Sequence, residues 1–136
     1  MSNIKWYVDN EETNDFYAGN SLTNFVVYIT VWNNRNGNTN IGNIKNPTIV
    51  CKYKTIEDSK LIKYTNIEVL NRNNSSITKT DDSIIIKIND ILSGNINDGD
   101  ESVVNNLNFI KFKLTVDLNN TSIKENDLKE IYLEIK

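Results

Sequence analysis

The chain contains no histidine. The absence removes the usual general base, the proton shuttle that works near neutral pH and the commonest metal ligand, so Ser-His-Asp and Cys-His catalysis and most zinc sites are excluded. The one cysteine, Cys51, has no partner for a disulfide within the chain and is expected as a small buried apolar residue. Alanine and proline occur once each, arginine twice and glutamine not at all. With a single alanine the best helix former is all but missing. The longest nearly apolar stretch, Phe25 to Trp32, is far too short to span a membrane and reads as a buried strand. Met1 to Asp9 has no basic region followed by an apolar run. No secretory signal is therefore expected here, and the product would be made in the cytoplasm. Lys and Arg number 15 against 18 Asp and Glu, with the lysines spread along the chain. That mildly acidic balance offers no basic stripe, so neither nucleic acid nor membrane is an expected partner.

What is present points to one domain and to extended structure. At 136 residues the chain is long enough for a single core without disulfide or metal support. Asparagine occurs 25 times, isoleucine 19, lysine 13 and threonine 11. Asn, Ile, Lys and Tyr are the residues an AT-rich genome over-encodes, and the asparagine excess is read as background that populates turns. Ile, Val and Thr together number 39, which favours strands.

Period-two patterns recur along the chain. Phe25, Val27, Ile29 and Val31 alternate with Val26, Tyr28, Thr30 and Trp32, so both faces of this strand are apolar enough to be covered and it is expected to be central. Asn36-Gly37 supplies residues tolerant of positive φ in the loop that ends it. Further strands are read at Ile4 to Val8, at Ile49 to Tyr53, across Leu61 to Leu70, at Ile84 to Asn89, from Leu107 to Leu118 and at Ile131 to Ile135. Arg72 to Asp82 and Ser93 to Asn106 are read as polar turns or loops. Seven strands with polar connections predict an all-β fold, an antiparallel two-sheet β-sandwich with a small β-barrel as the alternative. Residues 1–136 form one domain, with 1–23 as a partly extended N-terminal arm.

Phe25 to Asn34, followed by Asn36-Gly37 and then Pro47 to Cys51, resembles immunoglobulin-like repeat modules of bacterial and phage surface proteins. In those modules a long strand of this kind closes on an asparagine before a glycine-containing loop. The resemblance covers about residues 24–53. It implies an immunoglobulin-like sandwich, and it carries no catalytic residue, because a fold does not bring a function with it.

Few constellations suggest chemistry. The loop Asn95 to Glu101 is rich in oxygen donors, but placing Gly99 at the sixth position of an EF-hand puts Gly94 at the first and Ile96 at the third, so that calcium register fails. Glu11-Glu12, Asp81-Asp82 and Asp98/Asp100/Glu101 are carboxylate groupings, all in expected loops and not across a cleft. No catalytic residue, metal ligand or cofactor is assigned. Trp6, Tyr17, Tyr28 and Trp32 are the candidate contact residues, as interface anchors or as platforms for a sugar ring.

The expectation is thus a non-enzymatic structural or assembly protein whose partners are other proteins of a larger particle, or copies of itself. A phage virion component, such as a capsid decoration, head fibre or tail-associated protein, fits a binding-type sandwich made without export. The terminal segment Leu128 to Lys136 is the expected free edge for strand pairing. The alternatives are a carbohydrate-binding or adhesive module, which requires Trp6, Tyr17 or Trp32 on an exposed flat face, and a small adaptor or inhibitor.

Overall fold

The computed structural model describes residues 4–13, 17–21, 25–102, 106–117 and 129–136. In chain order its strands are β1 (Ile4–Val8), β2 (Glu11–Glu12), β3 (Tyr17–Ser21), β4 (Phe25–Asn33), β5 (Ile44–Lys45) and β6 (Thr48–Tyr53). A 3-10 helix at Glu57–Tyr64 follows, then β7 (Thr65–Val69), β8 (Ser75–Lys79), β9 (Ser83–Ile88) and β10 (Ile91–Leu92). A short 3-10 turn at Asn106–Asn108 leads into β11 (Phe109–Val116), and β12 (Lys129–Ile135) is the last strand.

Two five-stranded antiparallel sheets run in the orders β2-β1-β4-β11-β7 and β3-β12-β6-β9-β8, with β5 and β10 forming a separate two-stranded ladder. Neither large sheet closes on itself, which sets aside the barrel alternative. No helix among the described residues is long and apolar enough to cross a membrane.

One apolar cluster draws on both sheets. Val27, Ile29 and Val31 of β4 and Ile110, Phe112, Leu114 and Val116 of β11 enter it from the first sheet. Ile49 and Cys51 of β6, Ile84, Ile86 and Ile88 of β9, and Ile131 and Leu133 of β12 enter it from the second. These are the alternate residues of each strand, as a pleated backbone with one covered face requires. β4 lies between β1 and β11, in the central place its two apolar faces predict.

Four expectations are corrected. Leu61 to Tyr64 is helical, because Leu61 and Ile62 are consecutive and both buried, which a strand cannot arrange on one face. At the junction with β7 the Thr65 hydroxyl donates to Leu61 O at 2.8 Å and shares a 2.8 Å hydrogen bond with the Tyr53 hydroxyl. Within Arg72 to Asp82, Ser75–Lys79 forms β8, exposed along its whole length and paired only with β9. The N-terminal region is built into the sheets: β1 pairs with β4, Trp6 reaches the core, and β3 pairs with β12. The last segment is no free edge, since β12 runs between β3 and β6.

Candidate functional site

The outward face of β4 carries the features that distinguish this chain. At its upper end Trp32 is only 1% exposed although it points away from the shared core. Its cover is local: the Phe109 ring lies 4.8 Å away between centroids, and the Arg35 guanidinium sits 5.1 Å from the indole and 4.1 Å from the Tyr7 ring. Arg35 reaches back over the sheet because the chain reverses immediately after β4. Asn34 and Asn36 adopt φ of 63° and 59°, left-handed values that asparagine tolerates. Gly37 then donates its N–H to Asn34 O at 3.1 Å, and any Cβ there would overlap the Asn34 side chain.

A second segment, residues 93–102, closes over this turn, and asparagine side chains fasten it. Asn34 Nδ2 donates to Gly94 O at 2.8 Å and to Thr39 O at 2.9 Å, while Asn33 Nδ2 donates to Leu92 O and Gly42 O, each at 3.1 Å. Gly94 N–H donates to Asn43 Oδ1, Ile96 N–H to Asn40 Oδ1, and Asn97 Nδ2 to Asn34 O. Asn33 and Asn34 are both buried, and their bonds to Leu92 O and Gly94 O are buried with them, so these two carbonyls find their donors inside the protein. Part of the asparagine excess, assigned to composition alone from the sequence, is thus structural.

Between the turn and the segment lies an open cavity of about 460 Å³ lined by Asn10, Arg35, Gly99, Asp100, Glu101, Ser102 and Lys111. Gly99 has φ of 74° and lies against Arg35 and Asn36, where a Cβ would overlap Asn36 Oδ1 and stand 2.9 Å from Arg35 Nε. Lys111 Nζ pairs with Glu101 Oε1 at 3.1 Å. Asp100 Oδ1 accepts from the Ser102 backbone N–H at 2.9 Å and from its hydroxyl at 2.7 Å, and these bonds hold the Asp100 carboxyl below its ordinary pKa.

The lower end of the same face is open. Tyr28 is 43% and Val26 52% exposed, whereas Val27 and Ile29 behind them are buried. Lys113 and Thr115 of β11 stand opposite Tyr28 and Val26 in register.

The four sequence-derived contact residues therefore separate. Tyr28 is on the surface. Trp6 is fully buried and stacks on Phe112, with centroids 6.4 Å apart, because β1 turns it toward the opposite sheet. Trp6 and Trp32 are both buried in this structure. Tyr17 opens β3 opposite Leu133, but its side chain lies outside the described residues. Arg35 and Lys111 were not singled out by sequence reasoning, and Gly99, Asp100 and Glu101 were weighed only as a calcium loop or a carboxylate grouping; the signal was Arg35 itself, one of only two arginines, inside the Asn-Gly turn.

The remaining titratable groups are spoken for or lie apart. Glu12 pairs with Lys5 at 3.5 Å, and Asp82 accepts from the Thr80 hydroxyl at 3.1 Å. Burial pushes the Cys51 thiol up to about 12. Desolvation lowers the pKa of Arg72, with Asp90 at 3.8 Å partly opposing it. Asp98 accepts the Asp100 N–H, so the acidic loop spends carboxylate oxygens on its own turns. No group of three or more His, Cys, Asp or Glu is placed to hold a metal among the described residues. Comparison with protein-family models, with curated proteins and with solved structures gives no match for this chain.

Proposed function

We infer that the chain is a non-enzymatic structural module, an immunoglobulin-like β-sandwich that works through protein–protein contact, including contact with its own copies. A larger particle such as a phage virion is the setting this reading implies. The two five-stranded sheets sharing one apolar cluster support the sandwich. The observation that carries the functional reading is the open lower half of the outward face of β4. Tyr28 and Val26 stand exposed on the same face of β4, on a stretch paired in register with β11 and lying just beyond the end of the β1 ladder at Ile29. An aromatic ring on such a support loses little conformational freedom when a partner covers it, which is the usual profile of an interface anchor. The burial of Trp6 and Trp32 removes two of the three aromatic residues that the carbohydrate-binding reading could use, which favours the contact reading.

Sedimentation velocity over a wide concentration range tests this. The wild-type chain is expected to associate as concentration rises, and Val26→Lys combined with Tyr28→Ala is expected to remain monomeric while keeping its fold. A strict monomer at every concentration, or association unchanged by the double substitution, contradicts the reading.

A further inference from the structure

Arg35 stands apart from the other cations of this surface. Its guanidinium lies over Tyr7 and Trp32, at 4.1 and 5.1 Å from the ring centroids, and Gly99 packs against its Nε. Arg35 Nε is buried with no hydrogen-bond acceptor, and Arg35 has no hydrogen bond or ion pair among the described residues. A guanidinium carries five N–H donors; here the Nε–H is buried without an acceptor and the terminal N–H groups have none within the described chain. The carboxylates that share the cavity do not supply them: Glu101 is taken by Lys111 at 3.1 Å, and Asp100 by the N–H and hydroxyl of Ser102. The contacts with the two rings and with Gly99 restrain the guanidinium where Arg35 lines the cavity.

We propose that the cavity of about 460 Å³ beside Arg35 is a binding site for a carboxylate, received by the guanidinium edge. A planar carboxylate matches the fork of donors in a paired geometry. The cavity lining sets the preference for a single charge. Two cations, Arg35 and Lys111, are balanced by two carboxylates, Asp100 and Glu101. A lining neutral on balance supplies no surplus positive charge to favour a dianion such as hydrogen phosphate, while the planar carboxylate matches the fork. The same chemistry arrives on a free small acid or on an acidic side chain of a polypeptide.

The test is NMR titration of the full chain near neutral pH with sodium acetate, with doubly blocked aspartate and with inorganic phosphate. Both carboxylate probes are expected to give saturable shifts centred on the Arg35 Nε–H, the Gly99 amide and the Trp32 indole, with phosphate weaker by about tenfold. Saturation by acetate alone identifies a free acid as the source, and saturation by blocked aspartate alone identifies a polypeptide. Arg35→Lys, which keeps the charge and loses the fork, is expected to weaken carboxylate binding by about tenfold. Absence of saturable shifts at these three groups, phosphate binding as well as acetate, or unchanged affinity in a folded Arg35→Lys protein would overturn the proposal. The wild-type shift map decides the matter even if that variant does not fold.

Discussion

Along β4 the side chains that point away from the shared core meet two environments. At the upper end Thr30 and Trp32 are covered by Tyr7, Arg35, Phe109 and the segment 93–102; at the lower end Val26 and Tyr28 face water. The inward face of the same strand shows no such division, since Val27, Ile29 and Val31 are all buried among apolar side chains. One strand thus displays three means of disposing of apolar surface. Its inner face uses the opposite sheet, its upper outer face uses a polar turn and an arginine against two rings, and its lower outer face stays exposed. Apolar burial is non-directional, whereas the asparagine cover depends on individual donors meeting individual carbonyls. The two buried regions should therefore fail differently.

The largest effect is expected where the core is hollowed. Phe112→Ala removes a fully buried ring that also stacks on Trp6, and a loss of about 3–5 kcal/mol in denaturant-unfolding free energy is expected. A loss of similar size from any single asparagine would erase the distinction between core and cover. Asn33→Ala withdraws the donor to Leu92 O and Gly42 O, and about 1–3 kcal/mol is expected from the stranded carbonyls. In that variant a neutral quencher should reach Trp32 more readily while Trp6 stays protected, which tryptophan fluorescence in Trp6→Phe and Trp32→Phe backgrounds separates.

The Cys51 thiol provides a pH-dependent probe of the core. Its pKa is raised from 9.0 to about 12 by burial, so above pH 9 the unfolded chain loses this proton before the folded one does. Stability from this group is fully present below pH 9 and declines as pH rises toward 12, by up to about 1.4 kcal/mol per pH unit. Unfolding curves of wild type and Cys51→Ala should accordingly converge as the pH rises through that window; parallel curves would place the thiol in contact with water. The smallest effect on stability is expected at the open end. Val26→Lys should change the unfolding free energy by no more than about 0.5 kcal/mol, since the side chain is already half exposed.

Much of the framework was legible because burial writes itself into the sequence as alternation. The strands carrying Ile110, Phe112 and Leu114, or Ile84, Ile86 and Ile88, have one covered face and one wet one, and period two follows. β8 was missed for the converse reason: Ser75 to Lys79 is exposed on both faces, so nothing selects alternate apolar residues. β5 and β10 are two residues each, too short to show a period. At the site, the apolar character of both faces of β4 was readable. What covers Trp32 was not, because Asn34 and Gly94 meet across 60 positions of sequence, and amide–carbonyl pairing leaves no pattern in composition. The asparagine count looked uniform, yet only some of these residues stand where a buried carbonyl needs a donor.

The central claim is that the lower outward face of β4 is surface held for a partner while the upper one is closed by the chain itself. Hydroxyl-radical footprinting of the wild-type chain, in dilute solution and at concentrations where it associates, tests both halves at once. The account predicts that Tyr28 is oxidised when dilute and protected on association, with Trp32 and Trp6 unmodified throughout. Oxidation of Trp32 at the rate of Tyr28, or Tyr28 modified equally at every concentration, would contradict it.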